Sequence, residues 1–344
     1  MRTALRVAMA LIAIAVVSIV RPAHATSWYE TPEIKALYEK AKAEGKVVVW
    51  GPQRNEVDWI PQAFNSMFPG IEVEWVGDNE TLTRAIAEAR AGRHQVDVFW
   101  NSITGLVNFV NRDLVAPMDW ETFGSPKENI IFDGRAAYTT SIAWAFAYNS
   151  DLVKKEDLPT RWDQLLDPKY KGKIVTSLFL MPRQMGSLSL AWGWDKAEAF
   201  AREMIAKQDI MLTRSPREPI LNSGERLYSL GEVDYLVRVW EKSGLKIKYV
   251  VPEPIIVGQF TASMMAKAPH PNAARLLAGY MVSPEGKAAR KAITSAEDYS
   301  ITGTSNLAKL INSGKVQVVN DNPEKSDERE KAIQRMGPIV AGQK

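Results

Sequence analysis

The stretch YTTSIAWAFAYNS, Tyr138–Ser150, sets Ile142, Trp144, Phe146 and Tyr148 against Ala143, Ala145 and Ala147. That is a strict period of two with no helical face, so it reads as a long strand. Small residues along one side of such a strand suit a place where two packed bodies meet. A second uninterrupted run, FTASMMAKA at Phe260–Ala268, reads the same way. The pair predicts two extended crossings between two lobes.

The flanking sequence fits that reading. Ahead of the first crossing lie three apolar runs: KVVVW (Lys46–Trp50), IEVEWV (Ile71–Val76) and VDVFW (Val96–Trp100). Helical patterns fill the gaps. In TPEIKALYEKAKAEG, Ile34, Leu37, Tyr38 and Ala41 share a face, with Thr31 as cap, Pro32 in the first turn and Gly45 as terminator. Strands alternating with helices imply a mainly parallel sheet covered on both faces. Beyond the crossing, GKIVTS (Gly172–Ser177), VDYLVRVW (Val233–Trp240) and IKYVVP (Ile247–Pro252) read as the strands of a second set. The predicted class is α/β, two lobes, each a mostly parallel sheet flanked by helices, joined by two hinge strands. Lobe 1 is expected to hold residues 26–140 and 256–295, and lobe 2 residues 141–255 and 296–344. The polar NDNPEKSDEREK segment near the end reads as exposed.

At the N-terminus, Arg2 and Arg6 precede an apolar run from Val7 to Val20, and Ala23-His24-Ala25 follows Pro22. This pattern predicts a cleaved signal peptide over residues 1–25 and a periplasmic destination. The run is too short to span a bilayer, and no other stretch is long and apolar enough, so the protein is not expected to be membrane-embedded. Without residues 1–25 the 43 basic side chains lose three arginines and balance the 40 acidic ones. A near-neutral chain with no basic tract excludes nucleic acid as a partner.

The catalytic repertoire is narrow. There are no cysteines, and beyond His24 only His94 and His270 remain. Thiolate metal sites and His-based triads therefore have too few residues, and HExxH, GxSxG, P-loop and GxGxxG motifs are missing. No enzyme, no resident metal and no cofactor is expected. His270 precedes Pro271 at the start of a helix whose buried stripe is Leu276, Leu277, Tyr280 and Met281, and it reads as a cap.

Ligands of parallel sheets gather at the carboxyl ends of the strands. That rule selects Arg54 (with Gln53 and Asn55) after the first strand, and Asn101 and Ser102 after the third. It also selects Ser177, Arg183 and Ser187 in the second set, and Ser215 in TRSPREPI, where Arg217 has Glu218 beside it as a pairing partner. Tyr138 and Thr140 stand at the entrance to the crossing strand, with Thr139 between them. Arg238 interrupts an otherwise apolar run read as a strand, so it must be paired, exposed at an edge, or aimed at a ligand.

Five segments, the N-terminal leader, WAFAYNSDLV, LPTRWDQLLDPKYKGKI, LGEVDYLVRV and KAPHPNAARLLAGYMVSPEGKAA, resemble in that order the periplasmic solute-binding proteins of ABC importers. The likeness is to the branch of the ferric-ion-binding proteins and their relatives for small organic solutes. It implies the two-lobed periplasmic binding fold, closure on a solute and delivery to an inner-membrane ABC permease. The ferric branch coordinates iron through adjacent tyrosines, at positions that here read Leu236, Val237, Arg238, Val239 and Trp240. No Tyr-Tyr pair occurs in the chain. Arginine in place of phenolate suits a small organic anion of carboxylate or phosphonate type. A ferric or other metal receptor is the alternative; a secreted enzyme on the same scaffold and a sensor without a permease are further readings.

Overall fold

A computed structural model describes residues 27–52, 54, 57–78, 80–300 and 303–342. The predicted leader, Gln53 and Asn55 lie outside the described residues.

In chain order, the first half runs α1 (Pro32–Glu44), β1 (Lys46–Gly51), α2 (Ile60–Met67), β2 (Glu72–Gly77), α3 (Thr81–Arg90), β3 (Val98–Ser102) and α4 (Ile103–Val110). Two short strands, β4 (Val115–Ala116) and β5 (Ile130–Ile131), lead into the long β6 (Ala136–Asn149). The second half runs β7 (Ile174–Ser177), α5 (Leu180–Trp192), α6 (Trp194–Lys207), β8 (Met211–Thr213), α7 (Glu218–Ser223), β9 (Tyr228–Val233), α8 (Asp234–Lys242) and β10 (Ile247–Val250). After it come β11 (Ile255–Met265), α9 (Pro271–Val282), α10 (Pro284–Thr294), α11 (Asn306–Ile311), β12 (Val318–Asn320) and α12 (Ser326–Val340).

The strand order β2-β1-β3-β11-β6-β9-β7-β8 explains the two-lobed α/β class. β1, β2 and β3 are parallel, as are β7, β8 and β9. Between these sets, β6 changes partner along its length. Ala137–Ala143 pair with β11, and Trp144–Tyr148 pair with β9. β11 likewise pairs with β12 at Ile255–Val257 and with β3 at Phe260–Met264. These are the two crossings. The second begins at Ile255, earlier than the expected Phe260, because Gly258 hides the strand pattern. That glycine is where the strands come closest: a Cβ there would lie 2.9 Å from Ile142 Cγ1.

Each side has its own core. One gathers Ile34, Phe64, Trp100, Phe123 and Leu277; the other gathers Phe146, Trp162, Tyr170, Met185 and Met336. Helix α1 is built as its sequence dictates: Thr31 Oγ1 accepts from the Ile34 amide, and Gly45 ends the helix at φ 73°. The stripe of α9 (Leu276, Leu277, Tyr280, Met281) is fully buried, each side chain contributing about 1.5–3 kcal/mol of burial. His270 stands at the N-cap position of α9 without a side-chain capping bond. Its Nδ1 lies 2.8 Å from Asp97 Oδ2 and its amide donates to Asp97 Oδ1, so it ties the helix to β3's approach. The LPTRWDQLLDPKYKGKI segment is likewise structural: Trp162, Leu165 and Tyr170 are buried, and Trp162 Nε1 donates to the Pro254 carbonyl.

Two expectations need correction. Val233–Trp240 is not a strand; the strand ends at Val233 and Asp234 opens α8. The β-branched residues favour a strand, but Asp234 and Arg238 form an ion pair of 2.7 Å at the i,i+4 spacing of a helix. Nor is NDNPEKSDEREK uniformly exposed, since Asp321, Ser326 and Arg329 within it are buried.

Candidate functional site

The carboxyl ends of β1, β3, β7 and β9 border a cavity of about 460 Å³ between the two sheet halves, a size typical of small-molecule sites. Its walls come from strand-to-helix turns: Pro52 after β1, Asn101 and Ser102 before α4, Ser177 and Phe179 before α5, and Val233 before α8. Thr81 and Leu82 add the first turn of α3. Four helices therefore present their first turns to one space, where unpaired backbone N–H groups and aligned peptide dipoles favour negative charge. Ser102 caps α4 by accepting from the Gly105 amide, and Asn101 Oδ1 accepts from the Ser102 amide at 2.7 Å.

Three arginines line this cavity, and their partners differ. Arg217 forms a two-pronged ion pair with Glu232, whose side chain is fully buried. Expected at the surface or paired with Glu218, it instead reaches across to Glu232 on β9. Arg329, from α12, pairs with buried Asp321 and donates to Ser187 Oγ at 2.9 Å. Arg183, from the first turn of α5, bonds only the Phe179 carbonyl (3.1 Å) and stacks 3.4 Å from the Phe179 ring. Among the described residues no carboxylate lies within ion-pair distance of it. Burial, aided by the Arg329 charge and opposed by Glu330, pushes the Arg183 guanidinium down to about 10. A partly desolvated cation of this kind favours the arrival of an anion.

Of the residues predicted from sequence, the structure brings Asn101, Ser102, Ser177 and Arg183 together at the cavity. Ser187 lies behind it, fully buried, bridging the Arg183 carbonyl and Arg329. The other five do not line it. Arg54 is exposed, 3.8 Å from Asp58 and over the Trp75 ring. Ser215 is exposed at the turn after β8, where its amide donates to Thr213 Oγ1. Thr140 donates to the Glu297 carbonyl at 2.7 Å and faces a separate cavity. Tyr138 is half-buried; burial and the Asp321 charge push its hydroxyl up to about 12. A bulge at Thr139 turns Tyr138 out of line with Ile142 and Trp144, whereas Thr140 keeps register with Ile142 and is spent on the Glu297 carbonyl.

Arg238 is the largest correction. Turned inward by the helical path of α8, it donates to the Ser295 carbonyl and the Tyr249 hydroxyl and pairs with Asp234. Asp234 in turn accepts from the Ala143 amide and the Tyr299 hydroxyl. Burial opposes the charge of Arg238, but Asp234 and the two tyrosines hold its proton well above the usual range. It belongs to a closed network behind β6.

Sequence reasoning missed Asp321, Arg329, Trp144, Leu236 and Phe260. Arg329 was findable: Ser326, Arg329, Ala332, Met336 and Val340 recur at helical spacing and all are buried. Among the described residues no three His, Asp or Glu side chains converge as a metal set, and no helix is long and apolar enough to cross a membrane.

Comparison with solved structures gives the same architecture at low identity. Iron-bound HitA from Pseudomonas aeruginosa superposes with a TM-score of 0.70 at 18% identity, covering 85% of this chain and 99% of that one. The substrate-binding protein of an ABC transporter from Agrobacterium tumefaciens gives 0.70 at 15%, covering 86% and 94%. AfuA from Actinobacillus pleuropneumoniae, with fructose-6-phosphate bound, gives 0.69 at 18%, covering 86% and 99%. At such identities the likeness shows the fold alone. No curated protein matches in sequence. The family model for bacterial extracellular solute-binding proteins matches residues 51–288, a span that includes both crossings and most of the cavity wall. The chain belongs to the bacterial extracellular solute-binding proteins.

Proposed function

We propose that this protein is the periplasmic receptor of an ABC importer, capturing a small organic anion in the cavity and delivering it to an inner-membrane permease. The observation that carries this reading is Arg183, a half-buried cation with no carboxylate at ion-pair distance, at a cavity ringed by four helix N-termini. An anion there gains charge-assisted hydrogen bonds from a planar fork already stacked on Phe179. Residues 26–140 with 256–295, and 141–255 with 296–344, are the proposed moving lobes, and β6 and β11 the hinge. Asn101 and Ser102 stand on one lobe, and Ser177 and Arg183 on the other. A solute touching both binds the closed form better, and only that difference drives closure. The closed surface, made from both lobes, is what a permease distinguishes.

A thermal-shift panel of organic anions tests this, since a ligand bound only to the native state raises stability by mass action. Carboxylates or phosphonates should raise the unfolding temperature of the wild type, and Arg183→Ala should abolish the rise. A panel without shifts, or shifts unchanged in the variant, overturns the reading. The iron bound in HitA motivates a metal-carrying alternative. In this chain Tyr235 lines the cavity at the first turn of α8, but its neighbour is Leu236. Visible absorbance appearing on iron addition and lost with a chelator would decide for metal.

A further inference from the structure

Resting on that reading of the cavity, we infer that the solute is a monocarboxylate with an apolar body about the size of an aromatic ring or branched chain, and that dianionic phosphates are rejected.

The charge comes from the partners of the three arginines. Arg217 and Arg329 are satisfied by Glu232 and Asp321, carboxylates too buried to turn to solvent. Each pair carries no net charge toward the cavity. Among the three, Arg183 alone has no carboxylate at ion-pair distance, and Glu330 stands near enough to oppose a second negative charge. A phosphate dianion would need a second free cation, and among the described lining residues none remains. A carboxylate matches the single fork.

The body comes from the floor. Ile142, Val233, Leu236 and Phe260 pack into one apolar cluster that borders the cavity. Gly258 packs against it: any side chain there would press on Ile142. Leu82 and Leu180 face it from the two lobes. A solute whose surface is all hydroxyl would leave this strip unpaired with anything it favours, whereas an apolar body gains roughly 25 cal/mol per Å² covered. The trait separates this cavity from one built for a sugar phosphate, where the anion and every hydroxyl need partners.

Isothermal titration of the secreted chain with phenylacetate, acetate and phenyl phosphate at pH 8 tests both halves. Phenylacetate should bind at least about tenfold more tightly than acetate, the apolar term, and than phenyl phosphate, the charge term. In Glu232→Gln, which releases Arg217, phenyl phosphate should gain at least about fivefold. Acetate or phenyl phosphate binding as tightly as phenylacetate overturns the inference while leaving the anion receptor standing. Binding of none of the three, in a protein shown folded by circular dichroism, removes the anion reading and this inference together. The wild-type series decides the matter even if the variant fails to fold.

Discussion

Arg183 and Arg238 occupy comparable places after two parallel strands of the second lobe, Arg183 as the fourth residue of α5 and Arg238 as the fifth of α8. Both are half-buried. Their surroundings drive them in opposite directions, Arg183 losing hold of its proton and Arg238 gripping it. The difference is Asp234, one helical turn before Arg238, where Arg183 has the Phe179 carbonyl. A buried charge with its counterion inside the protein is architecture, and one without is an unmet demand. Breaking each arginine should expose that contrast.

The largest effect is expected on stability. Arg238→Ala leaves the buried Asp234 carboxylate with only the Ala143 amide and the Tyr299 hydroxyl. Losing one partner of a buried pair costs about 3–5 kcal/mol, to be read from urea unfolding midpoints, while anion affinity of the folded fraction stays near wild type. A loss below about 1 kcal/mol would mean the network is not closed as drawn. Arg183→Ala should invert the pattern. Anion affinity falls about 10- to 150-fold, the worth of charged hydrogen bonds at about 1.5–3 kcal/mol, and unfolding stability holds or rises slightly. Titration calorimetry beside the same urea series checks both.

Arg183→Lys sharpens the comparison. It keeps the charge and loses the planar fork and its stacking on Phe179. About a tenfold loss of carboxylate affinity is expected, between wild type and Arg183→Ala. Full retention would show that Arg183 acts as a point charge, and the argument from fork geometry would fail.

How the sequence announced these two residues is instructive. The alternation Ile142-Ala143-Trp144-Ala145-Phe146 placed β6, and Pro32 with Gly45, and Pro271 with its buried stripe, placed α1 and α9. Local chemistry determines such elements, so a local reading finds them. The cavity's charge balance is different in kind. Glu232 lies 15 residues from Arg217, and Arg329 lies 142 from Ser187. Whether an arginine is spoken for depends on those distant arrivals. Arg238 drew attention because it broke an apolar run, yet the same spacing that completes its pair, Asp234 to Arg238, also made the run a helix. One carboxylate four residues upstream carried both answers. Tyr138 was misplaced for a smaller reason: a single bulge at Thr139 shifts the alternation beyond it, and bulges leave little trace in sequence.

Thr140 supplies the next test. Its hydroxyl donates to the Glu297 carbonyl, tying β6 to the segment after α10. Thr140→Val should cost about 1 kcal/mol of unfolding stability, a typical net hydrogen bond, and leave anion affinity unchanged. A clear loss of affinity would place the segment after α10 in the binding equilibrium and not merely in the scaffold.

The smallest effects are expected where the strand-end rule selected residues that the fold leaves in solvent. Arg54→Ala removes a cation that lies 3.8 Å from Asp58 with most of its side chain exposed, and such pairs contribute little. Ser215→Ala removes an exposed hydroxyl whose residue is held through its backbone amide. Each should fall within about 0.5 kcal/mol of wild type in stability, with anion affinity within twofold. Arg54 is the more searching of the two. It follows β1 directly, as Arg183 follows β7, and it too stacks on an aromatic ring, Trp75 in place of Phe179. What it lacks is burial: water already solvates it, so an anion relieves nothing by arriving. If Arg54→Ala nonetheless weakened anion binding as strongly as Arg183→Ala, position after a strand would matter more than desolvation, and the contrast between paired and unpaired buried arginines would lose its meaning.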